Sequence, residues 1–180
     1  KTVKDLIADP LKVYKVPKEQ LEETVARIME TVGIAKRFEQ VYPHELDGGR
    51  RQRIGIARAL VLHPEFIVCD EPVSALDVSI QAQILNLLMD LQESHGLTYL
   101  FITHDLSVVR HISDDIMVMY LGVVVERAPS KELFASPLHP YTKELIRAIP
   151  IPDLKPEHRL SNSLRGEVSH PIGPPARRRF

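Results

Sequence analysis

"FIVCDEPVSALDVSIQAQILNLLMDLQESHGLTYLFITHD" spans residues 66–105. Its first apolar run, Phe66–Cys69, is too short for a helix and holds β-branched residues, so it reads as a buried parallel strand. "LTYLFITHD" reads as a second. Between them, Ile80, Ile84, Leu87, Leu88 and Leu91 fall on one side of an amphipathic helix that Gly96 ends. Strand, helix, strand in this order predicts an α/β domain with a mostly parallel sheet. Ligands of such sheets bind beyond the carboxyl ends of the strands. Asp70 and Glu71 stand at one such end, and Thr103, His104 and Asp105 at the other.

Upstream, the glycine pair Gly48–Gly49 precedes "RRQRIGIARALVLH", a helix with Ile54, Ala57, Leu60 and Val61 on one side and Pro64 as its stop. An earlier helix is predicted over Lys18–Val32, with a stripe of Leu21, Val25, Ile28, Met29 and Val32 closed by Gly33. A shorter one covers Ala35–Gln40. Residues 1–16 are expected to be short pieces broken by Pro10 and Pro17. Downstream, "LSVVRHIS" is a helix. "DIMVMYLGVVVERA" is two strands meeting near Leu121–Gly122, and "PSKELFA" and "HPYTKELIRAI" are short helices entered through proline turns. From Pro150 the chain is proline-rich and aperiodic, an extended appendage. The expected division is a helical lobe at 1–64, an α/β core at 65–150 and an extension at 151–180.

Apolar residues make up 44% and charged residues 26% of the chain, a soluble globular balance. A net charge of −1 gives no general attraction to nucleic acid. A single cysteine, Cys69, excludes an internal disulfide framework and a cysteine-only metal site. No apolar run approaches the ~20 residues of a membrane span, and the first residues lack a signal-peptide pattern.

Each candidate site also has a plain structural explanation. Asp70 and Glu71 could simply end a strand in an acidic turn. Thr103 and Asp105 can cap the next helix, and Asp47 can cap the helix that follows the glycines. Taken together, in order, these segments resemble the nucleotide-binding subunit of ABC transporters. "LDGGR" (Leu46–Arg50) stands at the signature, usually Leu-Ser-Gly-Gly-Gln; "FIVCDE" matches the Walker B strand; "SALD" (Ser74–Asp77) matches the D-loop; "ITHD" carries the switch histidine, His104. "DEPVSALDVSIQAQILNLL" and "PLHPYTKELIRAIP" resemble the oligopeptide, dipeptide and nickel importer subfamily.

The resemblance implies a partial P-loop NTPase fold, ATP and Mg2+ as cofactors, and a role for each residue. Asp70 supports magnesium through water, Glu71 polarises the attacking water, and His104 contacts the γ-phosphate. Ser74, Ala75, Leu76 and Asp77 communicate across a dimer. Leu46, Asp47, Gly48, Gly49 and Arg50 press on ATP held by the partner. The implied partners are a second ATPase subunit, in a homo- or heterodimer, two transmembrane permease subunits and, indirectly, an extracytoplasmic solute-binding protein. Nucleic acid is not among them. The implied location is the cytoplasmic face of the membrane.

Two departures stand out. No G-x-x-x-x-G-K-[ST] loop occurs in the chain, nor the glutamine loop, so it reads as the C-terminal part of a longer polypeptide, inactive alone. Asp47 replaces a serine that donates a hydrogen bond to the partner's ATP, and an ionised aspartate only accepts. Either this signature makes a poor site, or Arg50 supplies the missing favourable charge. The cost of like charges in a dry site favours the first. Asp47 could also cap its helix or pair with Arg51. The tail "LRGEVSHPIGPPARRRF" has Arg178 where relatives place a first cysteine, so no iron–sulfur cluster is expected. Two further readings are a non-hydrolytic interaction module and a DNA-repair-type ATPase; the latter lacks the heptads it would need.

Overall fold

The register of one strand pair brings the ionisable residues at two strand ends to a common edge. The computed structural model describes residues 1–149. These residues form two units, Lys1–His104 and the chain from Asp105 onward. The expectations for the tail, including the missing cluster, lie outside the described residues.

In the first unit, helix α1 (Val3–Val13) is capped by Thr2, whose hydroxyl accepts the Asp5 N–H. Val3 and Lys4 N–H donate to Val41 and Glu39 carbonyls, both at 3.0 Å, which ties α1 to the segment leading into the glycine pair. The break expected at Pro10 does not occur, because Pro10 lies inside α1. An interior proline costs ~3 kcal/mol. Val3, Ile7, Ala8 and Leu11 are buried on one face, and each large apolar side chain among them gains ~1.5–3 kcal/mol. Burial therefore outweighs the lost backbone bond.

Helix α2 (Lys18–Thr31) buries the predicted stripe. The Arg53 guanidinium donates to Val32 O at 2.6 Å and holds the end of α2 to the next helix. The short helix expected over Ala35–Gln40 is a single 3-10 turn, Lys36–Phe38, and a second such turn covers Pro43–Glu45. Helix α3 (Gly48–Leu60) begins on the glycine pair itself and buries Ile54, Ile56, Ala57 and Leu60.

Strand β1 (Phe66–Asp70), helix α4 (Val78–His95) and strand β2 (Thr98–Ile102) follow as predicted. The strands pair in parallel, from Phe66 opposite Thr98 to Asp70 opposite Ile102. Cys69 is buried, and the Tyr99 hydroxyl donates to Leu88 O of α4 at 3.0 Å. The other face is bare: Phe66, Val68, Leu100 and Ile102 are 54%, 55%, 50% and 45% exposed. The two strands, expected to be buried on both faces, are covered on one among the described residues.

In the second unit, helix α5 (Leu106–Ile112) leads into the antiparallel strands β3 (Asp115–Tyr120) and β4 (Val123–Pro129), which turn at Leu121–Gly122 as predicted. Helices α6 (Ser130–Ala135) and α7 (Pro140–Arg147) complete it. Val109, Ile116, Val118 and Leu133 form the core. Glu126 pins the "PLHPYT" loop: its carboxylate accepts the N–H groups of Leu138 and His139 at 2.8 and 3.0 Å. Burial opposes its ionisation, but the nearby Thr142 hydroxyl, these two N–H groups and His139 outweigh that and leave its carboxyl below the usual range.

Candidate functional site

The ladder between β1 and β2 runs one residue beyond β1, since Glu71 N–H donates to Ile102 O at 2.8 Å. That bond sets the start of one loop beside the end of the other. Glu71 then turns sharply, with a φ of 45° that a side-chain-bearing residue rarely adopts. Such a conformation costs ~1–3 kcal/mol and clusters at functional sites. The turn brings the carboxylate to His104, whose Nδ1–H donates to Glu71 Oε1 at 3.0 Å. The ring's Nε2 is thereby left for a ligand or water. His104 and Glu71 side chains are 74% and 49% exposed, so the pair is open to solvent. The His104 hydrogen bond, and then Ser74, hold the Glu71 carboxyl below its ordinary range.

The backbone of Glu71 also anchors the following loop. Ser74 Oγ donates to Glu71 O at 3.1 Å. Gln81 of α4 donates its side-chain amide to Val73 O at 3.0 Å and to Leu76 O at 3.1 Å. Asp77 caps α4 by accepting the Ile80 N–H at 3.0 Å. Ser74, Ala75, Leu76 and Asp77 are therefore held as one braced turn. Gln81 was not singled out in the sequence, where it reads as a surface position on a helix.

Asp70 is exposed at the end of β1. Among the described residues no group of three or more His, Cys, Asp or Glu side chains converges on one point. A single outward carboxylate fits a magnesium ion, which keeps most of its water and takes one or two carboxylates plus phosphate oxygens.

The second cluster is the start of α3. Asp47 caps the helix: Oδ1 accepts the Arg50 N–H at 2.8 Å, and Oδ2 pairs with the Arg50 guanidinium. The partner is Arg50, not Arg51. The Arg50 guanidinium carbon lies 4.9 Å from the centroid of the Phe38 ring, and that of Arg37 lies 5.0 Å from the same ring. Leu46 is buried beside this turn.

The glycine pair has a packing cause. A Cβ on Gly48 would stand 2.9 Å from a Leu76 methyl, and one on Gly49 would stand 2.7 Å from Ile80 Cγ2. Real side chains do not approach that closely; the Leu76 methyl ends a flexible side chain and can swing aside, but Ile80 Cγ2 sits on a branched Cβ, so it is the bare Gly49 that lets α3 meet the start of α4. The structure thus brings Gly48 and Gly49 to the braced turn, and Glu71 to His104. Phe38, Leu76 and Ile80 belong to these contacts. In the sequence Leu76 stood in the SALD segment and Ile80 on the apolar side of its helix, but nothing tied either to the glycine pair, and Phe38 carried no signal.

Two family models match the chain. One described as ABC transporter matches residues 2–74, and one described as oligopeptide/dipeptide transporter, C-terminal region, matches residues 125–178. The oligopeptide transport ATP-binding protein OppF of Bacillus subtilis is 59% identical over 154 residues, covering 84% of this chain and 50% of the relative. The dipeptide transport ATP-binding protein DppF of Haemophilus influenzae is 49% identical over 178 residues, covering 97% and 54%. The solved structure of cbiO1 from Clostridium perfringens, part of the ABC transporter complex cbiONQ, superposes with a TM-score of 0.68 at 29% identity, over 75% of this chain and 53% of that one. The chain spans about half the length of the curated relatives it matches.

Proposed function

The chain belongs to the ABC transporter family, and we propose that it is part of the ATP-binding and ATP-hydrolysing subunit of an importer for oligopeptides or dipeptides. The contact between Glu71 and His104 at adjoining strand ends carries this reading. A carboxylate held ionised by the histidine bonded to it, at a solvent-open sheet edge, can polarise a water on its solvent-facing side. Phosphoryl transfer asks little more of a protein than such positioning and charge stabilisation.

In this reading Glu71 orients the attacking water, while His104 fixes Glu71 and offers Nε2 to the transferring phosphate. Asp70 supports Mg2+ through water, and the ion supplies charge stabilisation for the phosphates. Ser74–Asp77, braced by Gln81, face a second ATPase subunit. Leu46–Arg50 face the ATP which that subunit holds. Residues 1–64 act as the helical lobe, 65–150 as part of the ATPase core and 151–180 as the extension of the peptide-importer type. No described helix is long and apolar enough to cross a membrane. The reading accordingly has two permease subunits provide the path, with a solute-binding protein delivering cargo and this subunit peripheral on the cytoplasmic face.

The test is Glu71→Gln in the full-length polypeptide assembled with its partner subunits. The exchange keeps the shape and removes the charge. Losing the carboxylate that positions the attacking water lowers kcat by ~100-fold or more, while KM for ATP stays within about threefold if ground-state binding is untouched. A Glu71→Gln complex as active as the parent would overturn the assignment.

A further inference from the structure

We infer that Arg50, seated on the Phe38 ring, provides the hydrogen-bond donors that Asp47 lacks, and that it contacts the terminal phosphate of the nucleotide facing this corner. Phe38 is the positioning residue that aims it. The inference rests on the reading that Leu46–Arg50 face ATP held by a second subunit.

A hydroxyl at position 47 could cap α3 through its oxygen and still donate its proton outward. A carboxylate caps equally well but has nothing to donate. Both Asp47 oxygens are spent on one residue, with Oδ1 on the Arg50 N–H at 2.8 Å and Oδ2 on its guanidinium. The negative charge is therefore met twice, by the same side chain and backbone. A guanidinium carries five N–H groups in a rigid fork suited to phosphate oxygens. Arg50 engages Asp47 through Nη1, and its Nε and Nη2 make no hydrogen bond among the described residues.

The fork is also aimed. Its carbon lies 4.9 Å over the Phe38 ring, and Phe38 is held in the 3-10 turn Lys36–Phe38, beside the segment that bonds to α1. Ring and carboxylate grip the guanidinium from two directions and restrict it to the space beside position 47. Arg37 shares the ring and Arg51 is exposed next along the helix, while Glu39 and Glu45 lie on the same stretch, so what a phosphate would meet here is the uncommitted N–H groups of Arg50 rather than a uniformly positive surface.

A plain surface ion pair would look similar and contribute nothing to nucleotide binding. A double-mutant cycle in the full-length polypeptide, assembled with its partner ATPase subunit, separates the two. With Asp47 present, Arg50→Gln is expected to raise KM for ATP ~10-fold or more; in the Asp47→Ser background, where a hydroxyl donates again, the same change costs about twofold or less. Phe38→Leu is expected to raise KM about threefold through loss of the ring, with Phe38→Tyr restoring it. An Arg50→Gln effect that is absent, or equal in the two backgrounds, overturns the inference. Glu71→Gln, run alongside, tests the functional reading separately. If it leaves hydrolysis at the parental rate, that reading falls and this inference with it; if it abolishes hydrolysis, the cycle alone decides.

Discussion

At Glu71, one hydrogen bond sets the chemistry of a carboxylate that solvent reaches. The bond from His104 lowers its pKa first, and Ser74 lowers it further. A depressed carboxyl stabilises the fold above the ordinary glutamate pKa of ~4.3, and that contribution disappears as pH falls through the depressed value. At neutral pH the group is fully ionised and a weak proton acceptor, which suits orienting a water better than removing its proton outright. Removing the donor should undo the shift: in His104→Ala the Glu71 carboxyl is expected to titrate higher, toward the ordinary range. A carbon-13 NMR titration of that carboxyl measures it, and a pKa that stays put or falls would show that His104 is not the cause. Asp70, Glu71 and His104 were legible in the sequence because polar groups interrupt two apolar runs. The contact between Glu71 and His104 was not. It depends on the parallel register and on a left-handed turn at a glutamate, neither of which leaves a pattern in a single chain. The pairing of Asp47 with Arg50 rather than Arg51 was not readable either, since both arginines follow the cap and a single sequence does not say which guanidinium turns back to the carboxylate.

Elements meet here where side chains are missing. Helix α3 approaches the start of α4 through Gly48 and Gly49, against Leu76 and Ile80. A methyl group at Gly49 must displace Ile80 or push the helices apart, and overpacking of that kind costs ~1–3 kcal/mol. Gly49→Ala is therefore expected to lower stability by that amount in urea unfolding. At Gly55, in the same helix, a Cβ would meet nothing within 4 Å. Gly55→Ala should instead stabilise by ~0.5–1 kcal/mol, because alanine loses less backbone freedom in a helix. If both alanines shift the midpoint alike, the contact with Ile80 is not what keeps position 49 a glycine. The sequence marked the pair as special but left its cause open between anion binding and close packing. It misled at α1, where Pro10 argued for a break and four buried residues on one face carried the helix through. Local chemistry was readable there; the tertiary burial that overrode it was not.

Across the whole chain, the sheets are covered on one side only among the described residues. Phe66, Val68, Leu100 and Ile102 line one face of the parallel pair; in the second unit Met117, Met119 and Val124 are exposed on one face of the hairpin, with Val123 exposed beside its turn. Sequence periodicity alone marked β1 and β2 as buried on both faces, because a continuous apolar run is what a doubly covered strand requires. The runs answer to cover that residues 1–149 do not provide. Contiguous apolar surface of this kind drives association and aggregation. The 180-residue polypeptide, prepared by itself, is therefore expected to bind the dye ANS and to scatter light above its monomer mass of 20.4 kDa. Val68→Thr with Leu100→Thr keeps side chains suited to strands while making the first face more polar, and should reduce both signals by about half, given that the hairpin face remains. A monomer that binds no dye would mean that these eight side chains are covered in solution. A double variant indistinguishable from the parent would mean that the second unit, rather than the parallel pair, governs how the polypeptide associates.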